Sequence, residues 1–420
     1  MDIISLLSGI LAIILFFVAR QYKDISSFIK NNAEKIFYAI HDRKLYEATY
    51  YKYRKRKKDF KYWEIVIEFF EKRYKTSAFI FNGVKLPVSV IWSNTKTLID
   101  PDTVLGTLDS SSPLTFAKTK YRNFIKKIEE RPDSPIKHES INYRFNKIIV
   151  DSGTPKINGA LGKYYDNILT QYGMEWEINK IINNSNSKEN FFKALTKSGA
   201  LPLREKLESK NLDPLYDGSY RSASLTISTL CVYKRESGYY CLVKKRSDKV
   251  AVLPNMFHVI PAAMFEPAFK DYKYEWSIKF NIFREILEEL YNIPEVITSS
   301  AANPEHLYSI EPMPFILKLL NEKKAELSIT GLTVDLLALR TEINTIFFVN
   351  ELGFCERKKI EVNWEYADEL EDSFHGDFSI RIDKLDDFIK NNININNFVY
   401  GGAVTLELGR RWLKERHNIF

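Results

Sequence analysis

One run of seven residues constrains this chain more than any other: Arg284-Glu285-Ile286-Leu287-Glu288-Glu289-Leu290. As an α-helix it carries Glu285, Glu288 and Glu289 at i, i+3 and i+4. Three carboxylates then share one face, while Ile286, Leu287 and Leu290 turn toward a core. Converging carboxylates are the oxygen-only ligand set that Mg²⁺ prefers. A solvated helix face has the same pattern, so the flanking sequence must separate the two.

Upstream, Ser224 to Tyr233 reads as a strand, Glu236-Ser237-Gly238 as a turn, and Tyr239 to Arg246 as a second strand. His258 to Glu266 follows and contains Pro261-Ala262-Ala263; the acidic helix comes after it. Lys244, Lys245 and Arg246 close the second strand as either phosphate contacts or a solvated strand end. Thr341 to Asn350 supplies another core strand. Lys384 to Asn391 and Ala403 to Glu415 are patterned as amphipathic helices. Gly401-Gly402 before the last of these is either a phosphate-binding helix start or an ordinary turn.

At 420 residues the chain is too long for one ordinary core, so two or three domains are expected. Cys231, Cys241 and Cys355 show no paired spacing, which points to buried thiols in a reducing compartment. The histidines form no H-E-x-x-H, which argues against a zinc hydrolase.

The net charge of +7 is concentrated at the amino end, where residues 1–60 hold twelve Lys/Arg and six Asp/Glu. Residues 3–19 are uncharged and would span roughly 25 Å as a helix, near the short limit for a bilayer core of about 30 Å. The expectation is a single transmembrane helix over 3–19, followed by a basic juxtamembrane helical segment over 20–75. Arg20, Lys23, Lys30 and Lys35 follow the run, so the positive-inside rule leaves the amino terminus outside and the body in the cytoplasm, on a cell inner membrane. Arg54-Lys55-Arg56-Lys57-Lys58 lies among tyrosines. Anionic lipid explains it more simply than single-stranded nucleic acid does, and neither DNA nor RNA is expected as a partner.

Residues 76–217 read as an α+β region without a catalytic motif. Short strands flank the turn at Asn82-Gly83, and a helix is expected over Phe116 to Glu130. Leu212-Asp213-Pro214 and Asp217-Gly218 mark a boundary, after which 218–420 forms the last domain.

The order strand, hairpin, strand, Pro-small-small loop and R-E-apolar-x-E-E helix resembles Nudix domains, whose signature is G-x5-E-x7-R-E-U-x-E-E-x-G-U with U a bulky aliphatic residue. Arg284, Glu285, Ile286, Glu288 and Glu289 fall on its second half in register. The resemblance implies an α/β/α sandwich in which Glu285, Glu288 and Glu289 carry Mg²⁺, Arg284 pairs with an acidic side chain, and water attacks a diphosphate. Ala263 stands at the motif glycine, Phe269 at its first glutamate and Tyr291 at its closing glycine, with about seven extra residues before the helix. Glu266 and Glu275 are the two candidates to pair with Arg284.

An apolar amino end before such a domain is similar to the membrane-anchored Nudix effectors of CBASS, the anti-phage systems built around cyclic-nucleotide synthases. That likeness implies a domain that binds a cyclic di- or oligonucleotide rather than turning over substrate. It also implies self-association and injury of the lipid bilayer. The alternative is a membrane-tethered Mg²⁺-dependent pyrophosphohydrolase of nucleoside diphosphate derivatives. The fold class expected overall is α+β: a transmembrane helix, a mixed α/β middle and a Nudix-like carboxyl-terminal sandwich.

Overall fold

The computed structural model describes residues 62–419 except 112, 114–138, 152, 168–169, 172, 209–212, 248–254, 294–302, 355–359, 361–362, 364, 367–378 and 393–396. The run 3–19, the basic knot Arg54–Lys58, the helix expected over 116–130 and Cys355 lie outside the described residues.

Trp63–Tyr74 (α1) turns Val66, Ile67, Phe70 and Tyr74 inward, the one-face spacing of an amphipathic helix. Ile80–Phe81 (β1) and Val84–Lys85 (β2) close over Asn82 and Gly83, whose φ values of 47° and 77° fit the type I′ turn that Asn-Gly favours. Val88–Ser93 (β3) then leaves this hairpin. A second sheet of three strands follows, Leu105–Asp109 (β4), Ile141–Ile149 (β5) and Lys156–Lys163 (β6), with β6 in the middle. After a single helical turn at Tyr164–Asn167 come three longer helices: Gly173–Asn184 (α2), Lys188–Thr196 (α3) and Pro202–Glu208 (α4).

The main sheet has eight strands. Leu225–Arg235 (β7) and Gly238–Lys245 (β8) form the expected hairpin, and β8 also pairs with Phe257–Val259 (β9) while β7 pairs with Ala262–Met264 (β10). After Ile278–Glu285 (α5) and Met313–Asn321 (α6), Ala325–Asp335 (β11) and Arg340–Val349 (β12) make a second hairpin, and β12 lies parallel to β7. Ser379–Arg381 (β13) pairs with β8 at one rim, and β3 pairs with β11 at the other. Leu385–Asn392 (α7) and Tyr400–His417 (α8) complete the chain.

Strand alternation divides the sheet's two faces. On one face α8 packs: Gly409 lies against Leu230, Trp412 against Phe348, and Asn344 Nδ2 donates to Thr405 Oγ1 at 2.8 Å. On the other, Ile227 and Thr229 face α5 across a small pocket. The layers are therefore helix, sheet, helix.

One expectation changes here. The fold class is corrected to a mixed α/β body whose described residues hold no spanning helix. Among the described residues no helix is long and apolar enough to cross a membrane. The longest, α8, carries Glu407, Arg410, Arg411, Lys414, Glu415 and Arg416, and the apolar α6 has only nine residues. Contacts also cross the position 217/218. The sheet takes its β3 rim from residues 88–93, and Arg204 of α4 is buried against the carbonyl oxygens of Leu336 (3.1 Å) and Leu337 and the hydroxyl of Tyr74. The middle region is thereby built into the sheet's own framework. Cys231 and Cys241 are buried, as expected.

Candidate functional site

The acidic helix starts where the middle region caps it. Ser277 is the N-cap and accepts from Phe280 N at 3.1 Å, while its hydroxyl donates to Asp102 at 2.8 Å. Asp102 also accepts from Lys279 N at 3.1 Å, so a carboxylate from residue 102 sits at the positive end of α5. Trp276 Nε1 donates to the Gly106 carbonyl at 3.2 Å, and its ring fills the space where a side chain at Gly159 would stand.

At its other end the helix changes pitch. Ile286–Leu290 winds as a π turn. That wider ring breaks the stacking of residues three and four apart, and the three glutamates go to different places. Glu285 accepts from Arg284 Nη2 at 2.6 Å, while Glu288 stands 3.9 Å from Arg284 Nε. Glu289 is 2 % exposed, and its Oε2 accepts from Ala262 N at 2.9 Å and from the Tyr366 hydroxyl at 3.1 Å. Burial, then the charges of Glu365 and Glu285, hold Glu289 well above the usual carboxylate range.

These positions decide how well Mg²⁺ fits. Among the described residues no three acidic, histidine or cysteine side chains gather as a metal set. One of the three carboxylates implied by the Nudix likeness is tied to an arginine, and another is buried on a backbone N–H and a phenol. As disposed here they do not fit the ion.

Arg284 is the hub of this arrangement. Its Nη1 donates to the Glu266 carbonyl at 3.3 Å. Burial works against its charge, but Glu285, Glu288 and Glu266 together raise its pKa. Of the two candidate acidic partners, Glu266 meets Arg284 through its backbone carbonyl, and the carboxylate at bonding distance is that of Glu285. Glu275 is fully buried with its carboxylate on the amides of Ala268 and Phe269, the latter at 3.0 Å. The extra residues before the helix are thus knotted on Glu275. Phe269, at the place of the motif's first glutamate, packs edge-on against Phe280.

Lys244, Lys245 and Arg246 do not act as one basic patch, because successive strand residues face opposite sides. Lys244 is 2 % exposed beside its register partner His258, which burial and the Arg246 charge push down to about 3. Arg246 lies 3.9 Å from Glu365 and bridges Tyr366 through its backbone. Gly401 and Gly402 also have another purpose than phosphate binding. A Cβ at Gly401 would collide with the Glu342 carboxylate, and one at Gly402 would press on the His258 ring at 3.1 Å. The start of α8 is already occupied by the protein's own carboxylate, bonded to Ser228.

The pocket between β10 and α5 is lined by Ile227, Thr229, Pro261, Ala262, Ala263, Met264, Asn281, Ile282 and Glu285, and encloses only ≈ 10 Å³. That is room for about one water. Sequence reasoning missed Asn281, although it stands one helical turn before Glu285. It also missed Tyr366, which reaches Glu289 only through the fold. No protein-family model matches the sequence, and no curated protein matches it significantly.

Proposed function

We propose that the main sheet, with α5 and α8, is a Nudix-type module kept for binding a cyclic di- or oligonucleotide rather than for hydrolysis, in an effector of the CBASS class. What supports the reading is the fate of Glu289. The glutamate that the motif places at the metal is instead held by Ala262 N and Tyr366, and Glu285 is held by Arg284. With two of its three carboxylates held by its own scaffold, the site is poorly set to polarise a diphosphate. Occupancy would favour self-association, provided that the ligand binds the associated state more tightly. The output would be injury of the bilayer from its cytoplasmic side. Contact with lipid rests on the composition of residues 3–58 alone, and no spanning helix is part of the proposal.

Calorimetry of the full-length protein with a panel of cyclic di- and trinucleotides tests this. At least one member should bind, and sedimentation should show larger assemblies in its presence. A flat response across the panel would remove the sensor function. Mg²⁺-dependent cleavage of nucleoside diphosphate derivatives to a nucleoside monophosphate and a second phosphomonoester, abolished by Glu288→Gln, would establish the pyrophosphohydrolase instead.

A further inference from the structure

Where the Nudix likeness implies a divalent ion, the acidic helix meets donors of the chain's own. Arg284 is 3 % exposed, and its guanidinium lies 2.6 Å from Glu285 Oε1 and 3.9 Å from Glu288 Oε1. Its Nη1 ends on the Glu266 carbonyl at 3.3 Å. An arginine does not give up its proton in a protein, so this positive charge stays with the glutamates. A divalent ion brought to Glu285 and Glu288 would have to share them, at close range, with a fixed charge of its own sign.

Glu289 is closed to an ion for a different reason. Its Oε2 accepts from Ala262 N and from the hydroxyl of Tyr366, itself 2 % exposed. Coordination through that oxygen would leave two buried donors unmet. A change of rotamer does not repair the set, because the π turn over Ile286–Leu290 is a property of the backbone and breaks the stacking that would bring the carboxylates together. Of the three glutamates, Glu285 alone is in the wall of the pocket between β10 and α5. We infer that the Arg284 guanidinium takes the place of a divalent cation on this helix, and that the module holds its ligand without one. The second part rests on the nucleotide-binding function proposed above and adds to it how the acidic site is neutralised.

Mn²⁺ is the probe, because the paramagnetic signal of the free ion is lost on binding. Full-length protein is titrated with Mn²⁺ in the absence of nucleotide, beside a variant carrying Glu285→Gln and Glu289→Gln, which removes both charges and keeps the shapes. The two proteins should take up the ion equally; uptake by wild type that the variant loses would overturn the inference. Arg284→Met removes the guanidinium and should bind Mn²⁺ about tenfold or more tightly than wild type, a gain abolished by adding Glu285→Gln. A folded Arg284→Met protein without that gain would also overturn the inference, and if this variant does not fold, the first comparison decides. Any cyclic nucleotide that binds should do so with the same Kd in Mg²⁺ and in EDTA, and binding weaker by about tenfold or more in EDTA would overturn capture without a metal. Binding by no member of the panel would remove the sensor function and leave the Mn²⁺ result to stand by itself.

Discussion

The hydroxyl of Tyr366 donates to the Oε2 of Glu289 at 3.1 Å across 77 residues of sequence. Glu289 Oε2 accepts at the same time from Ala262 N at 2.9 Å. The end of the acidic helix, the strand after Pro261 and the segment around Tyr366 thus meet on one carboxyl oxygen. Asn363 N adds a bond to the Glu289 carbonyl at 3.3 Å.

Replacing Tyr366 by Phe removes one of these bonds and leaves the packing. A buried hydrogen bond of this type contributes about 1 kcal/mol, so Tyr366→Phe should lower the urea midpoint by a corresponding amount with an unchanged slope. An unaltered midpoint would show that the contact carries no net stability.

Glu289 also sets a pH dependence. Its folded pKa lies above its unfolded value, so the folded state keeps a proton that the unfolded state releases. Its contribution is fully present below about pH 4, the ordinary Glu range, and is lost as pH rises through the raised value. Glu289→Gln keeps an acceptor for Ala262 N and Tyr366 but has no charge to bury. The variant should equal wild type near the acid end and exceed it in mildly alkaline buffer. Chemical denaturation across pH reads this directly, and parallel curves for the two proteins would contradict it.

Gly401→Ala tests the close approach at the start of α8. The new Cβ would overlap the Glu342 carboxylate, which is bonded to Ser228 within the sheet. Overpacking of this type costs about 1–3 kcal/mol. A melting temperature equal to wild type would mean that Glu342 relocates freely.

Asp102→Ala removes the carboxylate that accepts from Lys279 N and the Ser277 hydroxyl. Loss of such a cap costs about 1 kcal/mol. Amide exchange at Lys279 should quicken while the β11–β12 amides stay protected. If Lys279 is as protected as before, the middle region does not secure the acidic helix.

Local chemistry was legible in the sequence wherever neighbours along the chain decide it. Asn82-Gly83 gave its turn, Glu236-Ser237-Gly238 its hairpin, and the apolar face of 284–290 its burial. Spacing of the three glutamates was legible too, but their convergence assumed 3.6 residues per turn throughout. The π turn at Ile286–Leu290 removed that assumption, and no residue type in the run announces it. Charge patterns misled for a related reason. Lys244, Lys245 and Arg246 are contiguous in sequence yet divided by the strand's alternation, and Gly401-Gly402 answers to Glu342 and His258 from distant strands. Tyr366 and Asp102 act on the acidic helix from 77 residues after Glu289 and 177 residues before Lys279. Contacts at such separations leave no local trace.

The pairing of β3 with β11 carries a practical corollary. A truncated protein beginning at residue 218 would lack Val88–Ser93, leaving the amides and carbonyls of β11 as an open rim. Unprotected rims recruit other chains. Such a fragment should precipitate or form non-native oligomers, and any assembly it displays would report the missing strand rather than the ligand.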